Sequence, residues 1–159
     1  MHNTHNDTAL AAALLDLLGL LNSPQQDDIL LREAGISIDR ALFPLLVRIG
    51  AVKSLSVVEL ADQVGRDHST ISRQTAKLET LGLVSRRQAL RDQRVREAAI
   101  TTAGKRAVRA ITAARKRLFS KLLADWSPEE RESLARLNQK LADAMKNARR
   151  REEPAMRNS

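Results

Sequence analysis

The chain has 159 residues, 43% hydrophobic and 29% charged, with a net charge of +8 and no cysteine. That length suits one domain with an adequate core, and the missing cysteine excludes disulfides, zinc–thiolate sites and thiol switches. The charge is lopsided: before Gly65 eight acids face four bases, whereas from Arg66 to Arg117 fourteen Lys and Arg face four acids, a concentrated footprint for an anionic polymer rather than a generally basic surface.

The first residues, with His2 and His5, are predicted to be disordered. Ala9–Leu21 is apolar, but it has only thirteen residues, contains Asp16 and follows Asp7. A spanning helix needs about twenty apolar residues and a signal peptide begins with positive charge. No membrane partner is expected, and the location is expected to be cytoplasmic. Leu10, Ala13, Leu14, Leu17, Leu18 and Leu21 instead make a wide helical stripe. The plain reading packs it on its own chain; the sharper one, favoured by a matching need in the C-terminal helices, buries it between two chains. Residues 1–36 are therefore read as an N-terminal dimerisation helix and linker. A further helix is predicted over Ile38–Gly50 with Ser37 as its cap. Pro44 sits well inside it and should kink or break it.

Residues 37–104 carry the richest pattern. Ser56 and Glu59 form a capping box. Val57, Leu60, Ala61 and Val64 follow on one apolar helical face, and Gly65 ends the helix. After a short turn, Asp67 caps a second helix in which Ile71, Leu78 and Leu81 share a face with Thr75. The outer face carries His68, Ser69, Thr70, Ser72, Arg73, Gln74 and Lys77, and none of these is large and apolar. Hydroxyls and amides read base edges, and arginine bonds guanine bidentately or clamps a phosphate. Ordinary surface helices also carry such residues, so the flanking elements decide. His68 is read as a DNA-face residue or a bystander rather than a metal ligand, because no partner with ligand spacing surrounds it; no metal site and no cofactor are expected.

Gly82 ends the second helix, and a strand from Leu83 to Gln88 follows. Ala89–Arg94 is the tip, longer than a two-residue hairpin, and Val95–Thr101 returns. Arg86, Arg87, Arg91, Arg94 and Arg96 crowd this ribbon, with Asp92 the acid among them. A protruding arginine suits the minor groove, where narrow walls focus negative potential, and Asp92 is placed to fix Arg94 or a neighbour. Two helices and a basic ribbon in this order predict a mainly α fold with a small β-wing, a winged helix-turn-helix that reads duplex DNA.

Thr101 or Thr102 opens a helix running to about Asp125, with Ala107, Ile111, Ala114, Leu118 and Leu122 on one face. Ser127, Pro128 and Glu130 restart the chain with a cap, a first-turn proline and a capping box. Leu134, Leu137, Leu141 and Met145 then recur as a coiled-coil-like seam. Residues 105–150 are read as C-terminal dimerisation helices and 151–159 as a disordered tail.

The residues Glu59-Leu60-Ala61, Asp67-His68-Ser69-Thr70-Ile71-Ser72-Arg73, Leu78-Glu79-Thr80-Leu81-Gly82-Leu83-Val84, the pair Asp92 and Arg94, and Ile100-Thr101-Thr102-Ala103-Gly104 resemble the MarR (multiple antibiotic resistance regulator) family of bacterial transcriptional regulators. In organisation the likeness covers roughly Ile38–Leu141, and it is sharpest from Leu55 to Gly104. Single pieces are weak; their order and spacing together are specific. The resemblance implies a homodimer on a palindromic operator, usually repressing and often released by a small-molecule effector. It also implies Phe43 at an effector-pocket wall, where the plainer account is a tolerated kink beside Pro44. The family's cysteine-based peroxide sensing is excluded here.

Two other function classes compete with this reading. A winged helix that binds protein would show an apolar reading face, and Ser69, Thr70, Arg73 and Lys77 argue against that. A DNA-binding regulator with no effector is a further alternative. An enzyme is not expected: Asp67, His68 and Ser69 are adjacent on one helical turn, point in different directions and cannot form a relay, and no phosphate loop or nucleotide fingerprint is present.

Overall fold

The computed structural model describes residues 4–156. Helix α1 (Thr4–Leu21) is followed by α2 (Pro24–Ala34), a 3-10 turn (Arg40–Leu42), α3 (Phe43–Val52), strand β1 (Ser54–Ser56), α4 (Val57–Val64), α5 (His68–Thr80), β2 (Val84–Gln88), β3 (Arg96–Ile100), α6 (Thr102–Leu122) and α7 (Pro128–Met156). The chain divides into two compact units, one ending at Leu118 and the other beginning at Phe119. The division falls within α6, where the sequence placed a boundary at 104.

Several local expectations change. The helix α1 begins at Thr4, so the backbone is already helical where disorder was expected; His2 lies outside the described residues. The segment assigned as a linker contains α2. Ser23 caps it by accepting from the Gln26 N–H at 3.2 Å, Pro24 takes its first turn, and Gly35 closes it in the left-handed conformation at φ 67°. Pro44 does not interrupt a long helix. Asp39 caps the 3-10 turn by accepting from the Ala41 N–H at 2.9 Å, and Pro44 falls in the first turn of α3, where its missing N–H has no helical partner to lose. At the far end α7 continues to Met156, past the point where a disordered tail was expected.

The core of the first unit takes Leu45, Leu46 and Ile49 from α3, Leu60 from α4, Ile71 and Leu78 from α5, and Ile111 from α6, each essentially without exposure. Burying one such side chain stabilises by about 1.5–3 kcal/mol. Phe43 is buried in the same cluster. The sheet is antiparallel with order β1-β3-β2, and its register sets Leu55 opposite Ala98, Arg87 opposite Glu97 and Val84 opposite Ile100. The strand β1 was not expected. It exists by pairing with β3, and its last residue, Ser56, then caps α4.

The hairpin base is clamped to the start of α6. The Thr101 hydroxyl donates to the Gly82 carbonyl at 2.7 Å and accepts from the Gly104 N–H at 3.0 Å. Gly104 lies so close to the hairpin that a Cβ there would stand 2.0 Å from the Leu83 carbonyl oxygen. No larger residue fits without moving backbone.

In the second unit the capping box forms as predicted: the Ser127 N–H donates to Glu130 at 2.8 Å and the Glu130 N–H to the Ser127 hydroxyl at 3.1 Å. Arg131 donates to the carbonyls of Leu123 and Ala124 just beyond α6. No described helix is long and apolar enough to cross a membrane.

Candidate nucleic-acid interface

Glu59 and Ser56 close the capping box at the start of α4, at 2.8 and 3.2 Å, and Gly65 ends the helix with φ 69°. The chain then turns through Arg66. Its guanidinium donates from one nitrogen to the Ala41 carbonyl and to the Gln74 side-chain oxygen, both at 2.9 Å. This bridge ties the turn, the 3-10 segment and α5 together. Nothing in the sequence pattern marked Arg66 for this role, and Gln74, expected on the DNA face, is half-buried with its oxygen engaged internally.

Helix α5 has two faces. Ile71, Thr75 and Leu78 are buried, and the Thr75 hydroxyl is satisfied by the Ile71 carbonyl at 2.8 Å. Leu81, expected on this face, is instead half exposed because it lies in the cap beyond the helix. Outward, His68, Ser69, Arg73 and Lys77 are exposed, with Thr70 and Ser72 partly covered.

Asp67 organises the N-terminal end of α5. One carboxylate oxygen accepts from the Ser69 hydroxyl at 2.6 Å and the Thr70 N–H at 2.8 Å; the other accepts from the Thr70 hydroxyl at 2.6 Å. These bonds, the Ser69 hydroxyl foremost, hold its carboxyl well below the usual carboxylate range. Arg73 reaches the Thr70 hydroxyl at 3.4 Å.

The hairpin arginines divide by position. Arg86 pairs with Glu79 at 3.2 Å and donates to the Ser72 carbonyl at 3.2 Å, so it fastens β2 to α5. It was expected to contact DNA; in this chain it is held within the protein. Arg87 pairs with Glu97 across the strands at 2.7 Å and also donates to Ser54 at 3.1 Å. Arg91, Arg94 and Arg96 are exposed and have no ion pair among the described residues. Asp92, expected to hold a guanidinium, accepts from the Arg94 backbone N–H at 3.0 Å and so shapes the tip loop. Glu79 and Glu97 were the acids the sequence reading missed. Counting the hairpin register would have set Glu97 opposite Arg87.

The remaining expected site residues lie on the terminal helices. Leu10, Leu17, Leu18 and Leu21 on α1 are exposed and Leu14 is partly covered. On α7, Leu137 and Met145 are 52% and 62% exposed, with Leu134 and Leu141 partly covered. A cavity of about 430 Å³ lies between the 3-10 turn and α5, lined by Ile38, Leu42, Arg73, Ala76, Lys77 and Leu81 among others. Phe43 does not line it.

A capped helix, a sharp turn, a second helix with a polar outer face and an arginine-tipped hairpin define a winged helix-turn-helix protein. The MarR family model matches residues 38–95. The HTH-type transcriptional regulator YxaD of Bacillus subtilis (strain 168), itself uncharacterised, is 32% identical over 108 residues, covering 68% of this chain and 76% of that protein. The fold is shared with a MarR family protein from Bacillus stearothermophilus at a TM-score of 0.77 and 24% identity, covering 92% of this chain and 99% of that one. The crystal structure of MarR aligns with a TM-score of 0.71 at 25% identity, over 86% of this chain and 92% of that one. The chain belongs to the MarR family, whose members are DNA-binding transcriptional regulators rather than enzymes.

Proposed function

We propose that the protein is a homodimeric repressor that reads a pseudo-palindromic operator and leaves it when a small molecule binds. The observation that carries the DNA reading is the exposed polar face of α5 beside the tip arginines Arg91 and Arg94 and the neighbouring Arg96, which have no ion pair among the described residues. In this reading Ser69, Thr70, Ser72, Arg73 and Lys77 meet the major groove, with His68 at the helix entrance, and the tip arginines meet the minor groove.

The exposed leucines of α1 and α7 support the homodimer, since apolar stripes of this kind call for a second protein surface. Two copies related by two-fold symmetry fit half-sites about one helical turn apart, roughly 34–36 Å. The cavity beside α5 supports an effector, because Arg73 and Lys77 line both it and the proposed DNA face. A ligand held there competes with phosphate or base contacts, and its binding free energy opposes DNA binding by linkage.

Selection of duplex fragments from the source genome by the purified protein tests the operator. Enrichment of a pseudo-palindrome is the expected result; enrichment of a single unrepeated site would contradict it. Sedimentation at low micromolar concentration tests the dimer. Leu137→Glu should shift the protein towards monomer, because a buried unpaired charge is strongly destabilising. A parent that sediments as monomer and still binds its operator tightly would sink the dimer assignment.

A further inference from the structure

The hydroxyls of Ser69 and Thr70 are polarised in one direction. A hydroxyl has a single proton to donate and lone pairs with which to accept. Both protons are committed to Asp67, at 2.6 Å each. An ionised carboxylate only accepts, so at these two contacts the proton has to lie on the hydroxyl side. The distances fall in the range of charge-assisted hydrogen bonds, about twice as strong as neutral ones. Ser69 is exposed and offers solvent its lone pairs; Thr70 gives one lone-pair direction to Arg73 and keeps the other.

This polarity selects what the helix end meets. Phosphate oxygens are acceptors, and a phosphate beside Asp67 would also meet a like charge. In the major groove the hydrogen-bond donors are the N6 amino group of adenine and the N4 amino group of cytosine, whereas guanine and thymine present acceptors. We propose that Asp67 acts as a positioning residue that fixes Ser69 and Thr70 as hydrogen-bond acceptors, so that this end of α5 reads the amino group of adenine or cytosine. The inference rests on the DNA-reading role of α5 proposed above and adds the chemical class of base that it takes.

Asp67→Asn separates positioning from folding. Asparagine caps a helix as well as aspartate does. Its oxygen takes the place of the one that accepts from the Thr70 N–H, and its NH2 group then faces the Thr70 hydroxyl. That hydroxyl now accepts inwards and turns its proton outwards, while Ser69 keeps its orientation.

The probe is a random-sequence duplex library, selected with the parent, Ser69→Ala, Thr70→Val and Asp67→Asn. The base pair whose choice relaxes in Ser69→Ala is then rebuilt with analogues. Purine for adenine, or a pyrimidinone for cytosine, removes only the amino group; a second analogue in the opposite base removes the carbonyl oxygen together with the ring N–H beside it. For the parent, losing the amino group should weaken binding about five- to tenfold, as expected for one hydrogen bond, and losing the carbonyl should change little. Both effects are read relative to Ser69→Ala, which lacks the contacting hydroxyl, so that any effect of the analogue on the duplex itself cancels. In Asp67→Asn the pair facing Thr70, identified as the one whose choice relaxes in Thr70→Val, should become sensitive to the carbonyl instead. Carbonyl sensitivity in the parent would overturn the inference while leaving the DNA-reading role intact. No relaxed pair in Ser69→Ala, or no change at the Thr70 pair in Asp67→Asn, would do the same. A parent that enriches no sequence at all would overturn both.

Discussion

The base and the tip of the hairpin carry the same residue type in two different conditions. At the base, Arg86 and Arg87 each face a fixed carboxylate, Glu79 and Glu97, and each also donates to a neighbouring oxygen. At the tip, Arg91 and Arg94, with Arg96 at the start of β3, are exposed and unpaired among the described residues. A count of charge along the chain treats all five alike. Tertiary placement sorts them: a guanidinium beside a carboxylate, whether across the strands as Arg87 or on α5 as Arg86, is already neutralised and holds the hairpin in place, whereas one left unpaired keeps its charge for a partner. The lesson is that a basic segment overstates its own footprint until its internal acids are subtracted by position.

The two regions should fail in different ways. The largest effect belongs to the clamp beneath the base. Gly104→Ala forces a methyl against the Leu83 carbonyl and Ile100, and should lower stability by about 3 kcal/mol, at the upper end of ordinary overpacking. Urea unfolding checks this, and a loss within error would mean that the clamp yields easily. Next comes the tip. Arg94→Ala should weaken operator binding about tenfold, the scale of one good contact, with an unchanged melting temperature. A drop in melting temperature would move Arg94 to the structural group.

Smaller effects fall on the base arginines. Arg86→Ala removes a half-buried tie between β2 and α5 and should cost about 1 kcal/mol of stability, discounted because Glu79 is partly exposed. Equal melting curves for parent and variant would contradict that tie. Arg87→Ala breaks a cross-strand pair whose arginine is about half exposed, so thermal unfolding should register about 0.5 kcal/mol or less. If it exceeded Arg86→Ala, the ranking by burial would be wrong.

What the sequence disclosed follows from how far each signal reaches along the chain. The caps at Ser56, Asp67 and Ser127 are settled within four residues, and each forms as read. The inner face of α5 followed from periodicity, except at Leu81, where the helix stops. The helix α2 went unread although Ser23-Pro24 and Gly35 repeat the same start and stop signs; its full burial is confined to Leu30 and Leu31, adjacent positions that set no helical period. The strand β1 was invisible because three residues become a strand only by pairing with distant β3. Pro44 was misplaced because the 3-10 turn capped by Asp39 delays the helix start. On the candidate site, exposed side chains of α5 and the hairpin were legible from pattern. Their internal partners, Arg66 to Gln74 and Arg86 to Glu79, depend on tertiary placement and carried no local signal.

The salt dependence of operator affinity, measured for the parent, Arg94→Ala and Arg86→Ala, separates arginines that meet DNA from arginines that hold the fold. Each phosphate neutralised contributes about −0.9 to the slope of log affinity against log salt. The parent should show a steep slope, Arg94→Ala a slope shallower by about one such step, and Arg86→Ala the parental slope despite its lower stability. A flat parent slope, or a step lost in Arg86→Ala and kept in Arg94→Ala, would contradict the assignment of the tip to DNA and the base to the fold.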